Sequence, residues 1–455
     1  MAPSLEWQTV YDRFQVDVPA KDPAWRVLRP DIRLDRVRRA LATPFARKKC
    51  LLLGTQGSGK TTELYALLED LPANRVGVYF DVAEHVRNKV GDERVMDRMA
   101  AWEVVFLTGL AVWKAARALG FATDEDGAAI AKAAAPLLAV PGEKPPQVDY
   151  AKLAAAMSVG LAAAAGSIAS LPGLATAGAT TGALTVLGSM VGAGEWKLPI
   201  GQRGPPAPDA DQHARRLLDA VNTLFRRVET QQWRFLVVID GLDRLRDGGA
   251  IQRLFLESTL LGQLDTFTVA TGPVALSRQA RLGQLSGWEP TVLPELTVFN
   301  PNDPSVPAGQ LGFFSELWAR RTGDLHVSIA PAGLERLAWA SGGRLREFVR
   351  LVQNIAMDAY GQKEQEASLA LVDDLVAHER QTFSTGFHRG YDDVLRRVRD
   401  DPEHQLPDVE PRADGSNLVD ELLARYWLLP YRNGKEWFHP HPLLLDRLSR
   451  PSPAA

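Results

Sequence analysis

Five short apolar runs, separated by stretches of helical periodicity, give this chain its plan. They lie at about 50–54, 76–81, 235–240, 266–271 and 291–298, and Arg234-Phe235-Leu236-Val237-Val238-Ile239-Asp240 is the most continuous. A run of this length that is apolar on both faces belongs to a strand covered by helices above and below. Strands alternating with helical segments predict an α/β fold, with a doubly wound parallel sheet. A helix over about 31–41 precedes the first strand, and another over about 209–228 leads into the strand at 235–240. No internal repeat is evident.

Toward the C-terminus, Asn417 to Arg425 has the periodicity of an amphipathic helix. Alternating apolar and aromatic positions follow on both sides of Asn433-Gly434, a strong hairpin signal. A helix followed by a hairpin is how a winged-helix domain ends. The expected organisation is a lead-in at 1–45, a core at 46–300, a helical lid at 301–385 and a winged-helix-like domain at 386–455.

One segment fits neither pattern. Leu153 to Gly194 carries no charged side chain, and Ser170-Leu171-Pro172-Gly173 divides it into halves of about twenty residues. Such a half, if helical, spans roughly 30 Å, the thickness of a bilayer's hydrocarbon. Gly178-x-x-x-Gly182 and Gly188-x-x-x-Gly192 would permit close helix contact, and Trp196 stands just outside. The segment is nevertheless dominated by Ala, Gly, Ser and Thr, which gain little in hydrocarbon, and only Lys152 and Lys197 flank it. Three readings stay open: a membrane hairpin, a soluble hairpin or oligomer contact, and a flexible low-complexity loop.

Composition narrows the class. At 455 residues the chain is long enough for two or three domains, and 45% hydrophobic with 24% charged residues is a globular balance. A net charge of −3 supplies no overall pull toward nucleic acid or anionic lipid. A single cysteine excludes an internal disulfide and fits a reducing cytoplasm. The first seventeen residues lack the apolar core of a secretion signal.

The chemistry sits at strand ends. Gly54-Thr55-Gln56-Gly57-Ser58-Gly59-Lys60-Thr61 follows the first strand and opens into a helix through Thr62, the setting a phosphate-binding loop requires. Glycines let successive N–H groups turn toward a β-phosphate, and the helix N-terminus adds partial positive charge. Lys60 can reach the β- and γ-phosphates, and the Thr61 hydroxyl can complete a Mg²⁺ shell. The residues from Gly54 to Thr62 are therefore the expected ATP contacts. Asp240 ends its strand at the edge where ligands bind open α/β sheets and would hold Mg²⁺ opposite Thr61. Asp243 would orient the attacking water, or else pair locally with Arg244. Lys60 and Asp240 stand about 180 positions apart, whereas a compact core of this kind needs roughly 60–90. About a hundred residues, near 90–208, are thus inserted.

Further polar residues are candidate nucleotide sensors. Thr271 ends its strand beside the expected γ-phosphate, though threonine also favours strand ends for structural reasons. Gly342-Gly343-Arg344-Leu345-Arg346 opens a helix of the next domain. One of Arg344 and Arg346 would contact nucleotide, with surface salt-bridging as the alternative for each. Arg278 and Arg281 are weaker candidates for acting in trans. His439 and His441 lack a third ligand nearby, and no metal is expected there.

Together, the loop from Gly54 to Thr61, the strand end Asp240-Gly241-Leu242-Asp243-Arg244, and Gly342 to Arg346 with the tail resemble the AAA+/STAND group of P-loop ATPases. The resemblance covers roughly 30–90 and 210–450. A typical AAA+ protein has Glu directly after the strand Asp, where this chain has Gly241. A second acid after two further residues resembles STAND and KAP-type ATPases, and an apolar segment between the motifs resembles KAP proteins. The resemblance implies a slow, Mg²⁺-dependent signalling ATPase, with a protein partner or second copy as effector, located in the cytoplasm or attached to the inner membrane. Bacterial STAND relatives often serve in defence against phage. The alternative is an origin-recognition-like ATPase that places its winged helix on DNA, a partner less favoured here.

Overall fold

Leu51, Leu52 and Leu53 are wholly buried and lie on an inner strand of a seven-stranded sheet. The computed structural model describes residues 3–16, 23–29, 34–43, 47–90, 93–139, 150–157, 159–163, 185–187, 201, 209–278, 285, 287–387, 389–410 and 417–449. The chain divides into two units. One comprises residues 1–32, 57–62 and 293–455, and the other residues 33–56 and 63–292.

The second of these contains the sheet. Its strands are β1 (Lys49–Gly54), β2 (Arg75–Asp81), β3 (Val159–Ala163), β4 (Thr185–Leu187), β5 (Arg234–Asp240), β6 (Phe267–Pro273) and β7 (Trp288–Leu293). Their spatial order is β4-β3-β2-β5-β6-β1-β7. β2, β5, β6 and β1 pair in parallel, so the fold is α/β with a mostly parallel sheet and flanking helices. β6 stands between β1 and β5, separating the strand before the glycine loop from the acidic strand. The helices Ala101–Ala118 and Ala210–Thr230 pack on β2 and β5. The face of Ala210–Thr230 that is apolar in sequence, with Leu217, Val221, Leu224 and Val228, is the face that is buried.

Two expectations change. The predicted fifth strand at 291–298 forms earlier, as β7 (Trp288–Leu293), an edge strand that accommodates Pro290 and stops before Pro294. The apolar segment is not a helical pair where it is described. The helix Tyr150–Ala156 ends within it, and β3 then pairs antiparallel with β2, and β4 with β3. Small residues suit this position: a Cβ on Gly77 of β2 would lie 3.5 Å from Ala162 Cβ and 2.3 Å from Leu68. β3 also covers β2, which would otherwise present unpaired N–H and C=O groups. Among the described residues no helix is long and apolar enough to cross a membrane. Residues 158, 164–184 and 188–194 of the predicted hairpin, with both GxxxG pairs, lie outside the described residues.

The other unit is largely helical. Helices Leu311–Thr322, Pro331–Ala340, Leu345–Gln362 and Leu369–Phe383 share a core that includes Phe314, Trp339, Phe348 and Tyr431. The helix Pro3–Arg13 lies along Leu345–Gln362, with the Trp7 indole donating to Glu364 O at 2.7 Å. Beyond these, the helices Arg389–Asp400 and Leu418–Ala424 enclose a second cluster around Leu395, Leu422, Trp427 and Phe438. The hairpin forms where Asn433-Gly434 predicted it: Leu428–Asn433 pairs antiparallel with Lys435–Pro440, and Gly434 has φ +96°.

Candidate functional site

Gly57 and Gly59 adopt left-handed conformations, φ +89° and +93°, which L side chains rarely tolerate. Their environment forbids a side chain as firmly as their backbone does. A Cβ on Gly57 would lie 2.7 Å from Arg346 Cβ, and one on Gly59 2.8 Å from Leu345 Cδ1. The loop is braced through its own carbonyls. Arg346 N–H donates to Gly57 O at 3.2 Å, and the buried Arg29 guanidinium donates to Ser58 O at 2.8 Å. The carbonyls are thus used by the protein. The Ser58 hydroxyl is fully buried and has no hydrogen-bond partner among the described residues. The helix Lys60–Glu69 begins at Lys60, which is itself buried. Left-handed glycines, a helix N-terminus and an orphaned buried hydroxyl make a cradle suited to an anion.

The same unit distinguishes the two arginines. Arg346 lies on the glycine loop, its Cβ, Cγ and Cδ packed where a Gly57 side chain would begin. Arg344 is buried elsewhere: its Nε is 3.9 Å from the buried Glu295 carboxylate, and its guanidinium lies 3.3 Å from the centre of the Tyr426 ring. Gly342 and Gly343, both left-handed, make the turn between them and the preceding helix. A Cβ on Gly343 would come within 1.8 Å of Leu296 O. Tyr431 O–H donates to Gly342 O at 2.8 Å, which ties this turn to the C-terminal hairpin. His439 and His441 are wholly buried, and burial pushes His439 down to about 4 and His441 well below its ordinary value. Among the described residues no cluster of His, Cys, Asp and Glu suited to a metal exists.

In the sheet unit, Asp240 is buried at the end of β5 and its oxygens are held separately. Oδ1 accepts from the Thr271 hydroxyl at 3.1 Å and from Gly241 N–H at 2.8 Å. Oδ2 accepts from the Tyr79 hydroxyl at 3.0 Å. Asp243, on the turn Leu242–Arg244, lies 3.5 Å from the Thr271 hydroxyl. Thr271, Asp240 and Asp243 are thus brought together. Gly241 has φ +85°, and a Cβ there would come 2.3 Å from Asp81 Oδ1 and 2.8 Å from Ala83 N. The position after Asp240 therefore has no room for a glutamate. Asp81 caps the helix Val82–Val90 by accepting from Glu84 N–H at 2.9 Å. Burial pushes its carboxyl up to about 6, helped by the nearby Glu84 and Asp243 charges and opposed by hydrogen bonds from Glu84 and Ala83 N–H.

Tyr79, Asp81 and Arg29 were not among the predicted site residues. The signal for Tyr79 is a phenol inside the apolar strand Val76-Gly77-Val78-Tyr79-Phe80, where its polar end must find a partner. Arg29 offers no comparable signal, since its acceptor is a backbone carbonyl. Arg281 lies outside the described residues.

No protein-family model matches the chain, and no curated protein matches it. Solved structures align loosely. Drosophila ORC bound to DNA aligns at TM-score 0.36 and 10% identity, over 96% of this chain and 89% of that one. Cdc6p from Pyrobaculum aerophilum gives 0.33 and 12%, over 96% of each. The Thermotoga maritima RuvB Holliday junction branch migration motor gives 0.24 and 16%, over 55% of this chain and 86% of that one. Likenesses this loose carry no argument about function, which has to come from the residues themselves.

Proposed function

We propose that the chain is a Mg²⁺-dependent ATPase of the AAA+/STAND kind, working as a slow switch. One observation carries the proposal: the cradle at Gly57 to Lys60, with left-handed glycines that cannot accept side chains, a helix N-terminus and the orphaned Ser58 hydroxyl. In this reading the loop from Gly54 to Thr62 binds the phosphates, and Lys60 neutralises the β- and γ-phosphates. Thr61 and Asp240, both hard oxygen donors, suit Mg²⁺. When bound, the ion would neutralise phosphate charge and orient the terminal phosphoryl group. Asp243 aligns the attacking water, Thr271 holds Asp240, and Arg346 bears on the phosphate loop. Arg344 keeps Arg346 in place through Glu295 and Tyr426 rather than meeting nucleotide. The helix carrying Arg346 and the C-terminal hairpin would pass the nucleotide state to a protein partner or a second copy.

The test is phosphate release from ATP by the full chain, with Mg²⁺ and with EDTA. Slow release that EDTA abolishes and Asp243→Asn prevents supports the proposal; undiminished release by Asp243→Asn removes Asp243 from its role. A second reading, a DNA-binding ATPase, draws on the helix Leu418–Ala424 followed by the hairpin, an arrangement compatible with a winged helix. It predicts duplex binding that weakens steeply with salt and stimulates turnover.

A further inference from the structure

Asp240 is held from both neighbouring strands. β6 supplies the Thr271 hydroxyl to Oδ1, and β2 supplies the Tyr79 hydroxyl to Oδ2 at 3.0 Å. With a donor on each oxygen, the plane of the carboxylate is fixed. Tyr79 and Asp240 are only 8% and 3% exposed, so the donor is shielded from competing water. An O–H donating to a buried carboxylate belongs to the stronger class of hydrogen bonds.

The contacts of Tyr79 continue outward. The Tyr79 hydroxyl also hydrogen-bonds Tyr65, and the two rings lie 5.1 Å apart. A phenol has one proton to give. Tyr79 gives it to Asp240. Tyr65 lies on the helix Lys60–Glu69, and through these contacts that helix and the acidic strand bear on one carboxylate.

We propose that Tyr79 is a positioning residue, orienting the Asp240 carboxylate for the Mg²⁺ of an ATP complex, with Tyr65 as its outer support. The proposal rests on the nucleotide reading above. Groups that hydrogen-bond metal-binding carboxylates commonly set metal affinity as strongly as the ligands' own geometry does. A tyrosine that merely filled the core would affect stability and leave the metal requirement unchanged.

The experiment uses the full chain saturated with a non-hydrolysable ATP analogue. Mg²⁺ is titrated in, and the rise in melting temperature is recorded, a measure of binding that needs no turnover. Tyr79→Phe is expected to raise the Mg²⁺ midpoint roughly tenfold or more, while analogue affinity in EDTA stays at the wild-type value. Tyr65→Phe is expected to shift it the same way by about two- to threefold, as befits a contact one step further out. An unchanged midpoint in Tyr79→Phe overturns the proposal. Should that variant fail to fold, Tyr65→Phe decides, and an unchanged midpoint there overturns it equally. A wild-type protein that the analogue does not stabilise at all refutes the nucleotide reading itself, a result distinct from either.

Discussion

The glycine loop and the acidic strand end are built by different means. At the loop, the backbone does the holding: left-handed Gly57 and Gly59, with carbonyls accepting from Arg346 N–H and Arg29. At Asp240 the holding is done mainly by side chains from other strands, Tyr79 and Thr271, with Gly241 N–H as the local contribution. A backbone-built site needs particular residues at fixed spacing, because only glycine tolerates the conformation. A site built from side chains needs only that distant hydroxyls arrive at the right place. The first kind is local in sequence and sensitive to single methyl groups; the second is dispersed and sensitive to single hydroxyls.

That contrast orders the expected effects of substitution. Gly343→Ala should be the most damaging, since its Cβ would meet Leu296 O at 1.8 Å in a left-handed backbone. A loss of about 3 kcal/mol or more is expected in denaturant unfolding. Near-wild-type stability would mean that this turn relaxes easily and that backbone shape is not limiting there. Asp243→Asn should slow ATP turnover about a hundredfold while sparing ATP affinity, as single-turnover and binding assays would separate.

The two arginines sharpen the comparison. Arg344→Ala strands the buried Glu295 charge and should cost about 3 kcal/mol of stability. Arg346→Ala should leave the melting temperature nearly unchanged and weaken ATP binding by roughly tenfold. Reversed outcomes would exchange their roles. The smallest effect expected is that of acid. Buried His439 stays neutral in the fold, held down to about 4, whereas in the unfolded chain it protonates near its ordinary 6.5. Stability is therefore complete above pH 6.5 and falls as the pH drops toward 4. The contribution of His439 to this loss should reach about 1 kcal/mol by pH 5.5, and His439→Leu should make the slope shallower, with buried His441 supplying the remainder.

Much of the sheet could be read from the apolar runs, because a strand covered on both faces leaves a continuous signature. The phosphate-loop pattern was equally legible, since its glycines answer a local geometric demand. The strands β3 and β4, the described part of the segment 153–194 beyond the helix Tyr150–Ala156, were not legible for a physical reason. Ala, Gly and Val satisfy the composition of a weak membrane helix and of a short strand alike, and only the open side of β2 decides for β3. Arg344 and Arg346 share a motif two residues apart. What separates them is Glu295 and Tyr426, which come from distant parts of the chain. Tyr79 went unread for the same reason: its importance lies in a partner about 160 positions away.

The most direct test of the central claim is calorimetric titration of ATP with Mg²⁺ into the wild-type chain and into Lys60→Ala. Saturable one-to-one binding by the wild type, weakened roughly a hundredfold or more by Lys60→Ala, is the predicted result. Equal affinity in the two proteins would contradict the assignment of Gly54 to Thr62 as the nucleotide site.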